Sequence, residues 1–297
     1  MPAAVDSLRL FLLTLFFPLL VMAMLWRRPR RPLSAWLATL FLAVGITGFT
    51  FFASPWGWFG LPARYSLLAF LGLSVVFSMR RSVPAESKPE SPLRTIVKVL
   101  LGFYFGGVAL GALRGHEVPP SPIELAFPLR GGAYLVAHGG STGPSNMYNP
   151  DPVQRYAVDL VKLNGAGMRA RGLHPKELGR YMIFGTEVLS PCSGTVVAAM
   201  DGLPDQTPGT FDDKHPAGNQ VVVRCGEASV TLAHLQKGSV AVRPGMRVAA
   251  RQLLGRAGNS GRSSEPHLHV HAERGGRAVP ARFEGQWLVR NDVVRRP

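Results

Sequence analysis

The chain has 297 residues, room for one or two domains, with 33 Lys and Arg against 18 Asp and Glu and a formal net charge of +15. The surplus is uneven: residues 1–115 carry 12 basic and 3 acidic side chains, whereas residues 116–297 carry 21 and 15. A nucleic-acid footprint would cluster Lys and Arg with aromatic residues in the soluble part; 116–297 has no such stretch, so no nucleic-acid partner is expected.

Four apolar runs come first: 8–26 ("LRLFLLTLFFPLLVMAMLW"), 35–53, 62–79 with one Arg near its edge, and 95–113. Each approaches the ~20 residues a helix needs to cross a bilayer. A single run of this kind could be a buried core helix, but four within 115 residues point to membrane spans. The first run is long, lacks an A-x-A site and is followed by Arg27, Arg28, Arg30 and Arg31, which reads as an uncleaved anchor. Basic residues gather at 27–31 and 80–94, while 54–61 ("SPWGWFGL") is uncharged, with two tryptophans suited to an interface. Positive charge marks cytoplasmic loops. The expected arrangement is therefore a multi-pass protein of the cytoplasmic (inner) membrane, in contact with the lipid bilayer. Residues 1–115 form its transmembrane α-helical region, and residues 116–297 form an extracytoplasmic domain.

From residue 131 short β-type runs alternate with Gly and Pro: 133–138, 155–161, 187–191, 194–200, 219–225, 228–235, 266–273 and 286–294. Only "HPKELGRYM" (174–182) suggests a short helix. No Gly-rich loop opens a helix, so a phosphate cradle is not supported. A β-rich sandwich of about 180 residues follows. Cys192 and Cys225 both fall here; in an oxidising compartment they form either a bridge or two unpaired, buried thiols.

The stretch "SSEPHLHVHAERGG" (263–276) places His267, His269 and His271 at every second position. In a strand these imidazoles share one face while Leu268 and Val270 point to the other. Three imidazoles on one face are costly to bury and suit a transition metal, zinc above all. The other reading is a half-exposed strand that happens to be rich in histidine.

The order of "QRYAVDLV" (154–161), "VLSPCSGTVVAA" (188–199), "GNQVVV" (218–223), "VTLAHLQKGSVAVRPGMRV" (230–248) and "GRAGNSGRSSEPHLHVH" (255–271) resembles the lysostaphin/LytM-type zinc metallopeptidases. That family cuts peptide bonds in bacterial cell-wall peptidoglycan. Lipoyl and biotin carriers share pieces such as "VLSPCSGTVV" and "VRPGMRV", but have no use for H-x-H. The resemblance implies a β-rich lysostaphin-type peptidase domain, here behind about four membrane spans. It implies Zn2+ as cofactor and peptidoglycan or its cross-link peptides as partner. Carried over by position, the metal ligands are Asp159 and His269; the catalytic residues are His267, as general base, and His234 of "AHL", stabilising the oxygen charge. His271 is an extra strand neighbour.

The family's first ligand histidine stands four residues before the aspartate, and here that position is Arg155, which stays protonated and offers no lone pair. Upstream, "SNMYNPDPVQ" (145–154) contains no histidine; possible substitutes are His138, His215, Tyr148, Asn149 and Asp151. Two functions are therefore expected: a membrane-anchored zinc metallopeptidase, or a catalytically degenerate relative that binds cell wall or regulates another hydrolase.

Overall fold

The computed structural model describes residues 2–26, 32–79 and 90–297. Two compact units are present, Met1–Leu113 and Arg114–Pro297. The basic segments at 27–31 and 80–89, which carry most of the orientation argument, lie outside the described residues.

In the first unit, α1 (Pro2–Phe11) passes through a π-helical turn at Leu12–Phe16 into α2 (Phe17–Trp26). It is followed by α3 (Leu33–Ala53), α4 (Leu61–Met79) and α5 (Pro92–Arg114). Four stretches, Ser7–Trp26, Leu33–Ala53, Leu61–Met79 and Pro92–Arg114, are long and apolar enough to cross a membrane. Helices α3 and α5 approach closely through glycine: a Cβ on Gly45 would stand 2.7 Å from the Gly102 carbonyl oxygen. Small residues permit backbones to approach this closely. Arg64 is buried, but its Nε donates to the Phe51 carbonyl at 3.1 Å and its guanidinium lies 4.1 Å above the Phe51 ring. Trp56 and Trp58 are buried as well, although the sequence suits them to an interface. Trp56 Nε1 donates to the Thr50 carbonyl at 2.9 Å, which also accepts the Ser54 N–H, and reaches the Phe51 carbonyl at 3.2 Å.

The second unit holds thirteen strands: β1 (Ile123–Leu125), β2 (Gly132–His138), β3 (Val158–Leu163), β4 (Glu187–Leu189), β5 (Gly194–Met200), β6 (Asn219–Cys225), β7 (Ala228–Leu235), β8 (Arg247–Val248), β9 (Leu253–Arg256), β10 (Leu268–Arg274), β11 (Arg277–Ala278), β12 (Ala281–Phe283) and β13 (Val293–Arg296). Nine form one sheet in the order β13-β2-β3-β10-β7-β6-β5-β8, with β11 beside β10. β1 pairs with β12 in parallel and β4 with β9 antiparallel. Alternation builds the core from one face of the large sheet. Val158 and Leu160 of β3, Leu268 and Val270 of β10, Val230 and Leu232 of β7, and Val221 and Val223 of β6 meet there.

Three elements differ from the sequence expectation. The strand expected over 155–161 begins only at Val158, because the Asn146 side chain takes the Arg155 and Ala157 carbonyls (3.2 and 3.0 Å) that a ladder would need. The run 286–294 stays irregular until Val293, since Asn291 adopts φ +69°, which breaks the extended chain. The helix expected over 174–182 is a single 3-10 turn, Leu178–Arg180. So short a helix would leave most of its backbone groups without intrahelical partners. Instead Arg171 and Met182 donate to the Arg180 and Arg169 carbonyls, pairing Ala170 with Tyr181.

Cys192 and Cys225 are bridged, tying the turn after β4 to the end of β6 across a separation of 33 residues. Constraining a loop of that length stabilises the fold by about 3–4 kcal/mol on the chain-entropy estimate. Replacing both cysteines by serine should lower the thermal unfolding midpoint of the detergent-solubilised chain by several degrees. An unchanged midpoint would show that the bridge contributes nothing.

Candidate functional site

The site begins on one rung of the large sheet. The register pairs His138 with Asp159, Asp159 with His269, and His269 with Ala233, so these positions line up across β2, β3, β10 and β7. A bulge between Val136 and His138 shifts β2 and brings His138 opposite Asp159. Asp159 is only 4% exposed, and an unpaired carboxylate there would be costly. His269 Nδ1 lies 2.9 Å from its Oδ1, Tyr148 Oη donates to its Oδ2 at 3.1 Å, and His267 Nε2 stands 3.7 Å from Oδ1. Burial alone would raise this carboxyl's pKa, but the His267 and His269 imidazoles hold it below its ordinary value.

His267, His269 and His271 share one face, with Leu268 and Val270 in the core behind them. His269 Nε2 meets His271 Nδ1 at 3.0 Å. His267 Nδ1 donates to the Glu265 carbonyl at 2.8 Å and lies 3.1 Å from Ser263 Oγ. That bond places the ring proton on Nδ1 and leaves a lone pair on Nε2, which is buried without a hydrogen-bond partner.

His234 reaches the same cluster by a backbone distortion. In a regular strand it would point away from the face on which its neighbour Ala233 pairs with His269. Its φ of +63° turns it back, with its N–H on the Ala217 carbonyl and its own carbonyl accepting from Gly258, both at 3.0 Å. The ring lies 4.7 Å from His267 and 5.9 Å from His269, and Nδ1 donates to the Ser260 carbonyl at 2.9 Å. Burial first, then His267 and His269, push its pKa well below the ordinary value, so the ring is neutral with its lone pair on Nε2. Glycine is required at 218, where φ is +62° and a Cβ would stand 2.4 Å from Ser260.

The five candidate substitutes separate clearly. His215 is exposed beside Asp212, Asn149 Nδ2 donates to the Ser141 carbonyl, and Asp151 Oδ1 accepts from the Val153 and Gln154 backbone. His138 Nδ1 accepts from Arg290 Nη1 at 3.0 Å, so its own proton sits on Nε2. Tyr148 touches Asp159 directly. Arg155 is exposed, its Nε on the Asn149 carbonyl. Buried Asn146 fixes this loop: its Nδ2 donates to the Gly140, Arg155 and Ala157 carbonyls, and its Oδ1 accepts from the Tyr148 N–H. Nothing in the sequence pattern marked Asn146, Ser260 or Arg290.

A catalytic zinc takes three protein donors. Asp159 and His269 converge as two, a carboxylate and an imidazole of the kinds that zinc takes. Among the described residues no group of three His, Cys, Asp or Glu side chains is arranged to hold one.

Residues 181–281, which include His234, His267 and His269, match Peptidase family M23. The chain carries an M23 peptidase domain. Over 134 residues it is 35% identical to the peptidoglycan DD-endopeptidase ShyA of Vibrio cholerae serotype O1, covering 43% of this chain and 29% of that relative. The chain thus spans less than a third of the relative's length. Among solved structures it is similar to a zinc-containing peptidase from Vibrio cholerae: 20% identity, 52% of this chain and 37% of that one, TM-score 0.32. It is also similar to lysostaphin from Staphylococcus simulans: 23% identity, 47% and 42%, TM-score 0.30.

Burial, with Arg290 second, pushes the His138 pKa down to about 3. The folded value lies below the unfolded one, so this stability is fully present above about pH 6.5 and lost as pH falls towards 3. Unfolding midpoints should decline from pH 6.5 to 4, by up to about 1.4 kcal/mol per pH unit for this histidine. His138→Asn, which keeps an acceptor for Arg290, should flatten the decline; an unaltered slope would mean that His138 does not titrate on unfolding.

Proposed function

We propose that this chain is a membrane-anchored zinc metalloendopeptidase acting on peptide bonds of peptidoglycan. One observation carries the reading: Asp159, His269, His267 and His234 converge in a single buried cluster, and the three histidines lie in the stretch that matches Peptidase family M23. Similarity to a peptidoglycan DD-endopeptidase supports cell-wall cross-link peptides as the substrate class. The four apolar helices support anchoring in the lipid bilayer, and the Cys192–Cys225 bridge supports an oxidising, extracytoplasmic location for the peptidase domain.

In this reading Asp159 and His269 hold the zinc. His271 Nδ1 accepts the Nε2–H of His269, which turns the Nδ1 lone pair of His269 towards the metal. When bound, the ion supplies an acidified water and a Lewis acid for the scissile carbonyl. His267 takes the water's proton on its free Nε2 and returns it to the leaving amine. His234, anchored on Ser260, stabilises the developing oxygen charge once its Nε2 is protonated, a form that nearby negative charge favours.

The full chain in detergent should hold about one zinc and cleave purified peptidoglycan, and a chelator should abolish cleavage. His269→Ala should lose metal and activity together. His267→Ala should keep the metal and lose roughly 10²–10⁴-fold in rate, the span of a general base. A wild-type chain that holds no metal and cuts nothing, yet sediments with peptidoglycan, would replace the enzyme by a cell-wall-binding module.

Topology is tested separately. A periplasmic reporter fused after residue 115 should be active, and cytoplasmic reporter activity there would reverse the orientation.

A further inference from the structure

Resting on the metal reading above, we infer that Tyr148 supplies the third donor of the centre, its phenol oxygen standing in for the histidine that Arg155 displaces. Two donors on one tetrahedral zinc, each about 2 Å from it, stand roughly 3.3 Å apart. Tyr148 Oη is 3.1 Å from Asp159 Oδ2, and His269 Nδ1 is 2.9 Å from Asp159 Oδ1. The two contacts use the two oxygens of one carboxylate, and the Tyr148 and His269 rings lie 4.8 Å apart, edge to face. A cation seated against that carboxylate therefore faces both donors.

The alternatives fail on geometry or on lone pairs. His138 shares the rung with Asp159, but the Arg290 N–H occupies its Nδ1 and its proton occupies Nε2. Asn149, Asp151 and His215 have other bonds, and Arg155 is spent on the Asn149 carbonyl. Tyr148 is delivered by a loop held rigid by buried Asn146, so the phenol is positioned before any ion arrives. On coordination the phenol proton, now donated to Asp159, passes to solvent as the oxygen–metal bond forms.

The test uses the full chain in detergent, loaded with Cu2+ for spectroscopy and with Zn2+ for affinity. Wild type should show a phenolate-to-copper charge-transfer absorption. Tyr148→Phe keeps the ring against His269; it should lose that band and bind zinc at least about tenfold more weakly, a loss that even outer-shell partners cause. Tyr148→His should bind zinc at least as tightly as wild type, without the band. His138→Asn should retain both band and affinity. If Tyr148→Phe keeps wild-type spectrum and affinity, or if His138→Asn is the variant that loses them, Tyr148 is not the donor although the metal reading stands. If wild type takes up no metal while Tyr148→His takes one, the tyrosine closes the site, and both this inference and the enzyme reading fall. If none of these proteins binds metal, the metal reading itself is wrong.

Discussion

Burying the Asp159 carboxylate on a central rung of an antiparallel sheet constrains everything around it in the peptidase domain. Val158 and Leu160 on either side belong to the core, so the strand cannot rotate to release the charge into water. The carboxylate must instead be satisfied from neighbouring elements: His269 across the ladder and Tyr148 from the loop before β3. Removing one partner of a buried charge costs about 3–5 kcal/mol, so the contacts that define the site also hold β3 and β10 in register. A slip of one residue would bring Leu268 or Val270 against the carboxylate and send His269 into the apolar face.

The imidazoles are ordered from behind by main-chain carbonyls. Glu265 and Ser260 each accept from a Nδ1–H, which fixes the tautomer of His267 and His234 and leaves both Nε2 lone pairs on the cluster side. For His234 this arrangement requires a left-handed backbone, costing on the order of 1–3 kcal/mol for a non-glycine residue. Two backbone hydrogen bonds at 3.0 Å and the close fit of Gly218 against Ser260 keep it there. Strain and site coincide because re-aiming a side chain out of strand alternation is what the strain accomplishes.

The alternation at 266–273 was legible in the sequence because a strand's period is 2 whatever its surroundings. Leu268 and Val270 therefore went to the core, and the histidines to the opposite face. The four long apolar helices were legible because length and apolarity decide them. The start of β3 was not, since it depends on the Asn146 side chain, about ten residues upstream, taking two carbonyls. Nor was the turn at His234, whose cause lies in loops at 217 and 258–260 that meet only in the folded chain. The tryptophans at 56 and 58 read as interfacial from composition, yet bonds from the Trp56 indole to the Thr50 and Phe51 carbonyls at the end of α3 hold it inward.

Arg155 takes on a different meaning once the loop is seen. Its exposed guanidinium donates to the Asn149 carbonyl, one residue beyond Tyr148, so the side chain at the usual ligand position helps shape the segment that carries the phenol. A donor set of two oxygens and one imidazole is harder and more anionic than one with two imidazoles. Softer N-ligand sites favour zinc and copper, whereas oxygen-rich ones move towards manganese and magnesium. An anionic set also neutralises more of the cation's charge, which weakens its hold on the acidity of a bound water. With the proposed donor set the proton acceptor would matter more than in a histidine-rich centre, and the His267 and His234 rings stand 4.7 Å apart beside the carboxylate.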